Sequence, residues 1–71
     1  MGTTPQIVVR FAKRVREHRL RKDISQERLG EIAGLHRTYI GMLERAEKNV
    51  TLVNLEKIAR ALGVKASSLI D

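Results

Sequence analysis

The chain has 71 residues, of which 42% are hydrophobic and 3% aromatic, and it contains no cysteine. A chain this short forms one small domain, and without cysteine its stability has to come from the packing of an aliphatic core. No apolar run approaches the roughly 20 residues that span a bilayer, and no secretory signal opens the sequence. We therefore expect a cytoplasmic protein with no membrane partner and no thiolate metal site.

The charge of the chain is positive and unevenly distributed. Fourteen Lys and Arg residues oppose eight Asp and Glu residues, which gives a net charge of +6 at pH 7. Between positions 10 and 22, Glu17 is accompanied by seven basic residues, namely Arg10, Lys13, Arg14, Arg16, Arg19, Arg21 and Lys22. This segment carries +6 and the rest of the chain sums to zero, so a polyanion is the expected partner.

Residues 1–6 show no apolar periodicity and include the only proline, which predicts a flexible N-terminal arm before a domain spanning residues 7–71. The first helix is expected at 7–22, because apolar and partly apolar residues recur at the spacing of one helical face: Val8, Phe11, Val15 and His18. No segment alternates with the period of two that a half-buried strand shows, so the expected fold class is all-α.

Two short helices joined by a tight turn follow, over residues 26–33 and 36–46. Ser25 is placed to cap the first of them, and Gly34 suits the left-handed conformation that ends it. The expected inward stripes are Leu29, Ile32 and Ala33 in one helix and Tyr39, Ile40 and Leu43 in the other. Two helices of this length with a glycine-containing turn are typical of a helix-turn-helix.

A fourth helix is expected over residues 52–62, capped by Thr51 and ended by Gly63. Its inward stripe consists of Leu52, Leu55, Ile58, Ala59 and Leu62. One last short turn is expected within residues 64–71, which completes five helices.

The segment from Ser25 to Arg45 resembles the Cro/cI-type (XRE) helix-turn-helix family, whose pattern is S-Q-x-x-L-A-x-x-A-G-L-S-x-x-Y-I-S-x-x-E-x-G. The resemblance continues through residues 49–52 and 55–64. It implies a compact five-helix, lambda-repressor-like DNA-binding domain. Within the family, the run Arg37-Thr38-Tyr39-Ile40 looks most like the controller proteins of restriction-modification systems.

Four positions depart from the family pattern. His36 and Gly41 replace serines, and Ala46 replaces the glycine that normally ends the third helix, so the pattern does not define where that helix ends. Lys65 replaces the capping serine of the last helix, which favours a frayed final turn.

In helix-turn-helix proteins the second helix of the pair lies in the major groove, with its first residues against base edges. Arg37 and Thr38 are therefore the expected base readers, since a guanidinium matches guanine and Thr can contact a base edge or a thymine methyl. Met42, one turn later, is a candidate for an apolar contact. The resemblance implies a phosphate contact for Gln26, and further candidate DNA contacts are His36, Tyr39, Arg45, Lys48 and Asn49.

The resemblance also implies a structural ion pair between Glu44 on the third helix and Arg19 on the first. Family members bind as two-fold dimers, and the candidate interface is formed by the last apolar residues of the sequence, Val64, Leu69 and Ile70, for which the core is the alternative location. For the basic first helix two interpretations stay open. Either it attracts DNA and contacts its backbone, or it is a solvated face that never touches DNA.

The sequence therefore predicts a sequence-specific, double-stranded DNA-binding transcriptional regulator. It would act as a homodimer on a pseudo-palindromic operator and control its own and neighbouring genes, with RNA polymerase as a further candidate partner. No catalytic arrangement, phosphate-cradling loop or metal-ligand spacing is present, so we expect no enzyme activity, cofactor, metal or small-molecule ligand.

The alternative to such a regulator is an antitoxin that binds both DNA and a toxin. A membrane-surface helix fits less well, because a core explains the apolar face of the first helix.

Overall fold

A computed structural model describes residues 3–71, and over this range it contains five helices and no strand. They are α1 (Gln6–Arg21), α2 (Gln26–Ala33), α3 (Arg37–Glu44), α4 (Leu52–Leu62) and α5 (Ser67–Ile70). The predicted all-α class is confirmed. The pair α2 and α3 forms the helix-turn-helix, α1 packs on α3, α4 and α5, and α4 packs on α2. Among the described residues, no helix has the length and hydropathy needed to cross a membrane.

The first helix starts and ends one residue earlier than predicted. Gln6 already lies in α1 and Pro5 is its N-cap, so the predicted arm over residues 1–6 is one residue too long. Pro5 suits this position because its φ is fixed near the observed −55° and its carbonyl accepts the first free amides of the helix. Met1 and Gly2, also assigned to the arm, lie outside the described residues.

Side-chain caps and left-handed glycines set the ends of α2 and α4 as predicted. The hydroxyls of Ser25 and Thr51 each accept a hydrogen bond from the amide three residues later, at 3.0 and 3.1 Å. Gly34 and Gly63 end the two helices with φ of 72° and 70°, which glycine adopts without strain. The lengths of both helices are therefore encoded locally.

The core is aliphatic apart from one aromatic ring, and it is built from Phe11, Val15, Leu29, Ile40, Leu43, Leu55, Ile58, Ala59, Leu62 and Leu69. Two predictions of burial are wrong, since Ile32 is 47% and Leu52 83% exposed. Gly30 packs so tightly on the turn that a Cβ would lie 2.5 Å from the Leu35 carbonyl oxygen, and α2 buries Leu29, Gly30 and Ala33 rather than Ile32. Leu52 is the first residue of α4 and extends past the core.

The third helix is shorter than the predicted 36–46 at both ends. His36 is extended and acts as the N-cap, because its Nδ1 accepts the amide of Thr38 at 3.0 Å. At the other end Ala46 has a φ of 58°. The amides of Ala46 and Glu47 donate back to the carbonyls of Leu43 and Met42, the hydrogen-bond pattern of a Schellman motif. An alanine therefore occupies a position that favours glycine.

The last helix, α5, has no side-chain cap at its start, and α1 holds it in place. Arg10 Nε donates to the Ile70 carbonyl at 3.0 Å, and Arg14 Nη1 donates to the Ser68 carbonyl at 3.4 Å. These cations satisfy carbonyls that a helix C-terminus leaves free. With Leu69 fully buried beneath, α5 stays helical to its end rather than frayed.

Replacing Ala46 with glycine should stabilise the protein by about 0.5–1 kcal/mol, because the left-handed conformation costs a Cβ-bearing residue more than the added chain entropy of glycine. Urea unfolding monitored by circular dichroism measures the change. The same substitution at Ala66, whose φ is −55°, should instead lower the free energy of unfolding. Equal losses in both variants would contradict the assignment of strain to Ala46.

Candidate nucleic-acid interface

One surface cleft brings together the starts of α2 and α3. It is lined by Gln26, Arg37, Thr38, Gly41 and Arg45. Four of these five were predicted as DNA contacts, and they lie side by side because the turn between the helices is tight. Gly41 was noted only as a departure from the family pattern. A Cβ there would lie 3.0 Å from Arg45 Nη1 and 3.4 Å from Gln26 Oε1, so its missing side chain lets both groups lie against α3.

His36 organises the first turn of α3. Because Nδ1 accepts the Thr38 amide, the proton of the neutral imidazole has to reside on Nε2. The exposed ring therefore caps the helix with one nitrogen and keeps an N–H donor on the other. Serine, the usual residue here, caps through a hydroxyl, so the replacement preserves the capping function.

Two exposed arginines of the cleft are paired with carboxylates. Arg37 Nη1 lies 2.9 Å from Glu27 Oε2, and Arg45 binds both carboxylate oxygens of Glu47 at 2.9 and 3.3 Å. The hydrogen bond from Arg45 to Glu47 lowers the pKa of Glu47 and raises the pKa of Arg45. All four side chains are at least half exposed, and the least exposed of them is Glu47, at 50%. Exposed ion pairs contribute little to stability, so DNA can replace them at small cost.

A buried ion pair supports the cleft from below. Arg19 and Glu44 form two hydrogen bonds, of 2.7 Å from Nε and 3.0 Å from Nη2. The remaining groups are used as well: Arg19 Nη1 donates to the Ile24 carbonyl at 2.9 Å, and Gln26 Nε2 donates to Glu44 Oε1 at 3.1 Å. The hydrogen bond to Glu44 raises the pKa of Arg19 despite burial. No buried side-chain nitrogen or oxygen lacks a partner within residues 3–71.

The remaining predicted contacts do not line this cleft. The ring of Tyr39 packs on the core while its hydroxyl accepts a 3.0 Å hydrogen bond from Asn54 Nδ2, which leaves the hydroxyl proton available to a phosphate. Met42 is partly buried and does not line the cleft. Lys48 and Asn49 are exposed in the connection after α3, beside residues 3–5.

The predicted dimer residues occupy different environments. Leu69 is fully buried in the core, so its assignment to an interface is wrong, because no surface of it reaches a partner. Val64 is partly buried and packs on the same core. Ile70 borders an apolar groove that Ile7 and Leu52 also line. The exposed leucine at the start of α4 was missed because the helical pattern assigned it to the core.

The fold and cleft agree with comparisons to known proteins. A helix-turn-helix family model (HTH_3) matches residues 15–69. The chain belongs to this helix-turn-helix family. It is 48% identical over 69 residues to the control protein C.BamHI of Bacillus amyloliquefaciens, covering 96% of this chain and 85% of the relative. It is 51% identical to the control protein C.SmaI of Serratia marcescens, covering 84% and 71%.

A solved structure gives the same result. The restriction-modification controller protein C.AhdI from Aeromonas hydrophila superposes with a TM-score of 0.85 at 45% identity, covering 87% of this chain and 90% of that one. The resemblance to XRE-type regulators and to controller proteins is therefore confirmed. The chain is a DNA-binding transcriptional regulator, and these relatives give no support to the antitoxin alternative.

Removing both partners of the buried pair should cost less stability than the two single removals added together. We expect Glu44→Gln to lower the free energy of unfolding by about 3 kcal/mol, because it leaves the Arg19 charge without a carboxylate. The double variant Arg19→Met, Glu44→Leu should lose clearly less than the sum of Arg19→Met and Glu44→Leu measured alone. Urea unfolding of all four variants measures the coupling, and additive losses would show that the pair has no structural role.

Proposed function

We propose that this regulator binds an operator as a homodimer, with α3 of each copy in the major groove. The cleft that joins the starts of α2 and α3 carries the proposal. In this arrangement the first turn of α3 reaches base edges while the N-terminus of α2 meets the phosphate backbone. Two copies related by a two-fold axis would read a pseudo-palindromic sequence with half-sites about one helical turn apart.

The side chains of the cleft divide into base readers and backbone contacts. Arg37 and Thr38 are the first two residues of α3 and both are exposed, which favours direct readout, with guanine as the match for the Arg37 fork. Gln26 is the first residue of α2, where free amides and the helix dipole favour a phosphate. Arg45 and Lys48 lie farther along and suit backbone contacts.

An apolar surface at the starts of α1 and α4 supports dimerisation. Leu52 is 83% and Val53 63% exposed at the start of α4, and Ile7 is 49% exposed at the start of α1. Together with Ile70 they surround or adjoin one apolar groove. Four aliphatic side chains from three helices are unusual on the surface of so small a domain, and a second copy of the same surface would cover them. This surface keeps Ile70 from the interface predicted at the end of the sequence and leaves out the buried Leu69.

The named relatives are control proteins, which supports a role in regulating the chain's own gene and the genes beside it. Because its ligand would be genomic DNA, we expect it to act in the cytoplasm as a binding protein rather than an enzyme. RNA polymerase is the partner through which activation would occur. Transcription in vitro from the upstream promoter, with and without the protein, distinguishes activation from repression.

Arg37→Ala should lower operator affinity by roughly 5- to 150-fold, equivalent to the loss of a contact of about 1–3 kcal/mol, and reduce discrimination against a scrambled duplex. Fluorescence anisotropy at 50 and 200 mM salt, with DNA from upstream of the gene, measures both. Arg28→Ala is the matched control, since Arg28 is exposed on α2, pairs with Glu31 and lies outside the cleft. Equal effects of the two substitutions would refute base reading by Arg37.

Leu52→Gln should raise the dissociation constant of the dimer at least tenfold, because it places a polar amide in the centre of an apolar interface. Sedimentation equilibrium measures the change, and circular dichroism checks that the helices are intact. Leu20→Gln is the control: Leu20 is 55% exposed on α1 and lies away from the groove. An unchanged dissociation constant for Leu52→Gln would exclude this surface as the interface.

A further inference from the structure

Most of the positive charge lies outside the recognition surface, which we define as the cleft residues together with Glu27, Glu47 and Lys48. On this surface Arg37 and Arg45 are each opposed by a carboxylate, so only Lys48 contributes net charge. The net charge of the recognition surface is therefore +1. A transcriptional regulator thus reads DNA with a surface that is nearly neutral.

The outer face of α1 carries the excess. Once Arg19 is set against Glu44, six basic residues remain on or directly after this helix against Glu17: Arg10, Lys13, Arg14, Arg16, Arg21 and Lys22. Their net charge is +5. The rest of the chain has four basic and four acidic residues, which cancel, so α1 and the recognition surface together account for the total of +6.

Four of these six cations lie along a shallow groove of α1 that shares no residue with the recognition cleft. The groove includes Arg10, Lys13, Arg14 and Arg21. Arg10 and Arg14 are anchored through single N–H groups to carbonyls of α5, which holds their stems in place and leaves further guanidinium donors for a ligand. Glu17, at 4.0 Å from Arg14, is the one acidic side chain in the groove.

The spacing of these charges opposes helix formation in the free protein. Arg10 and Lys13, Lys13 and Arg16, and Arg10 and Arg14 are three or four residues apart, so like charges are neighbours on one helix surface. A polyanion that lies along the helix removes this repulsion. An acidic protein surface or an anionic membrane would also remove this repulsion. However, the exposed aliphatic residues Val9 and Leu20 lie at opposite ends of the face, so it offers no continuous apolar strip to either of them.

We propose that the outer face of α1 is a second, sequence-independent DNA-binding surface. It contacts the phosphate backbone of another DNA segment while the recognition cleft holds the operator. This proposal rests on the proposed function in one respect, namely that the recognition cleft holds the operator. Two surfaces on separate parts of the domain allow one regulator to hold two segments of DNA together, or to stay on non-specific DNA while α3 samples sequences.

Two triple variants of equal charge test the proposal. Lys13→Gln, Arg16→Gln, Arg21→Gln removes exposed cations of α1 and spares the two arginines that hold α5. Lys57→Gln, Arg60→Gln, Lys65→Gln removes three exposed cations elsewhere, so the net charge falls from +6 to +3 in both. Anisotropy with a scrambled duplex, between 50 and 200 mM salt, gives the affinity and its salt slope.

The α1 variant should lose at least tenfold in affinity for the scrambled duplex at 50 mM salt. Its slope of log K against log salt should become shallower by about two to three, one counterion-release contribution for each lost phosphate contact. The matched variant should lose less than about threefold. Equal losses in the two variants would mean that only net charge matters, and no loss in the α1 variant would mean that the face does not touch DNA; either result overturns the proposal.

A capture experiment tests whether the second segment is held at the same time as the first. Upstream duplex tethered to beads and saturated with protein should retain a labelled scrambled duplex, and the α1 variant should bind the tethered duplex without retaining the second. Retention by that variant would overturn the proposal. The proposal would also be overturned if the α1 variant lost binding to phosphatidylserine vesicles while its binding to the duplexes stayed unchanged. If the wild type binds both duplexes equally and only the α1 variant loses them, the proposed function fails and the α1 surface stands.

Discussion

The buried ion pair between Arg19 and Glu44 is the contact on which the geometry of the recognition surface depends. It joins the last turn of α1 to the last turn of α3, and its remaining groups hold the Ile24 carbonyl and Gln26 at the start of α2. A buried pair is favourable only when its buried polar atoms find partners, and here each nitrogen of Arg19 and both carboxylate oxygens of Glu44 are hydrogen-bonded. The position of Gln26, the proposed phosphate contact, is therefore fixed from three helices rather than from α2 alone.

The other charged contacts of the recognition surface are of a different kind. The pairs of Arg37 with Glu27 and of Arg45 with Glu47 are exposed, so they orient the guanidinium groups before binding and release them at small cost. They also keep the recognition surface nearly neutral, which limits attraction to DNA of any sequence. In the proposed arrangement, non-specific attraction comes from α1 and sequence discrimination from the first turn of α3. This division separates the source of salt-dependent affinity from the source of specificity.

Local signals in the sequence predicted most of the fold, and the errors arise where tertiary packing overrides them. Ser25, Thr51, Gly34 and Gly63 set helix ends through their own hydrogen bonds and backbone angles, so α2 and α4 were predicted with the observed bounds. Periodicity failed for Ile32 and Leu52, because it does not reveal that Gly30 packs on the turn or that α4 extends past the core. Four of the five cleft residues, all but Gly41, were predicted individually. Their pairing with Glu27 and Glu47 was not, since it depends on which helices meet.

Amide chemical-shift mapping tests the central claim most directly. The isotope-labelled protein is titrated with less than one equivalent of upstream duplex at 200 mM salt, where non-specific contacts are weak. If α2 and α3 read the operator as proposed, the largest shifts fall on Gln26, Arg37 and Thr38, while the amides of residues 56–62 stay unchanged. Largest shifts along residues 10–21 with Arg37 and Thr38 unmoved would contradict the account, because the protein would then hold this DNA by charge alone.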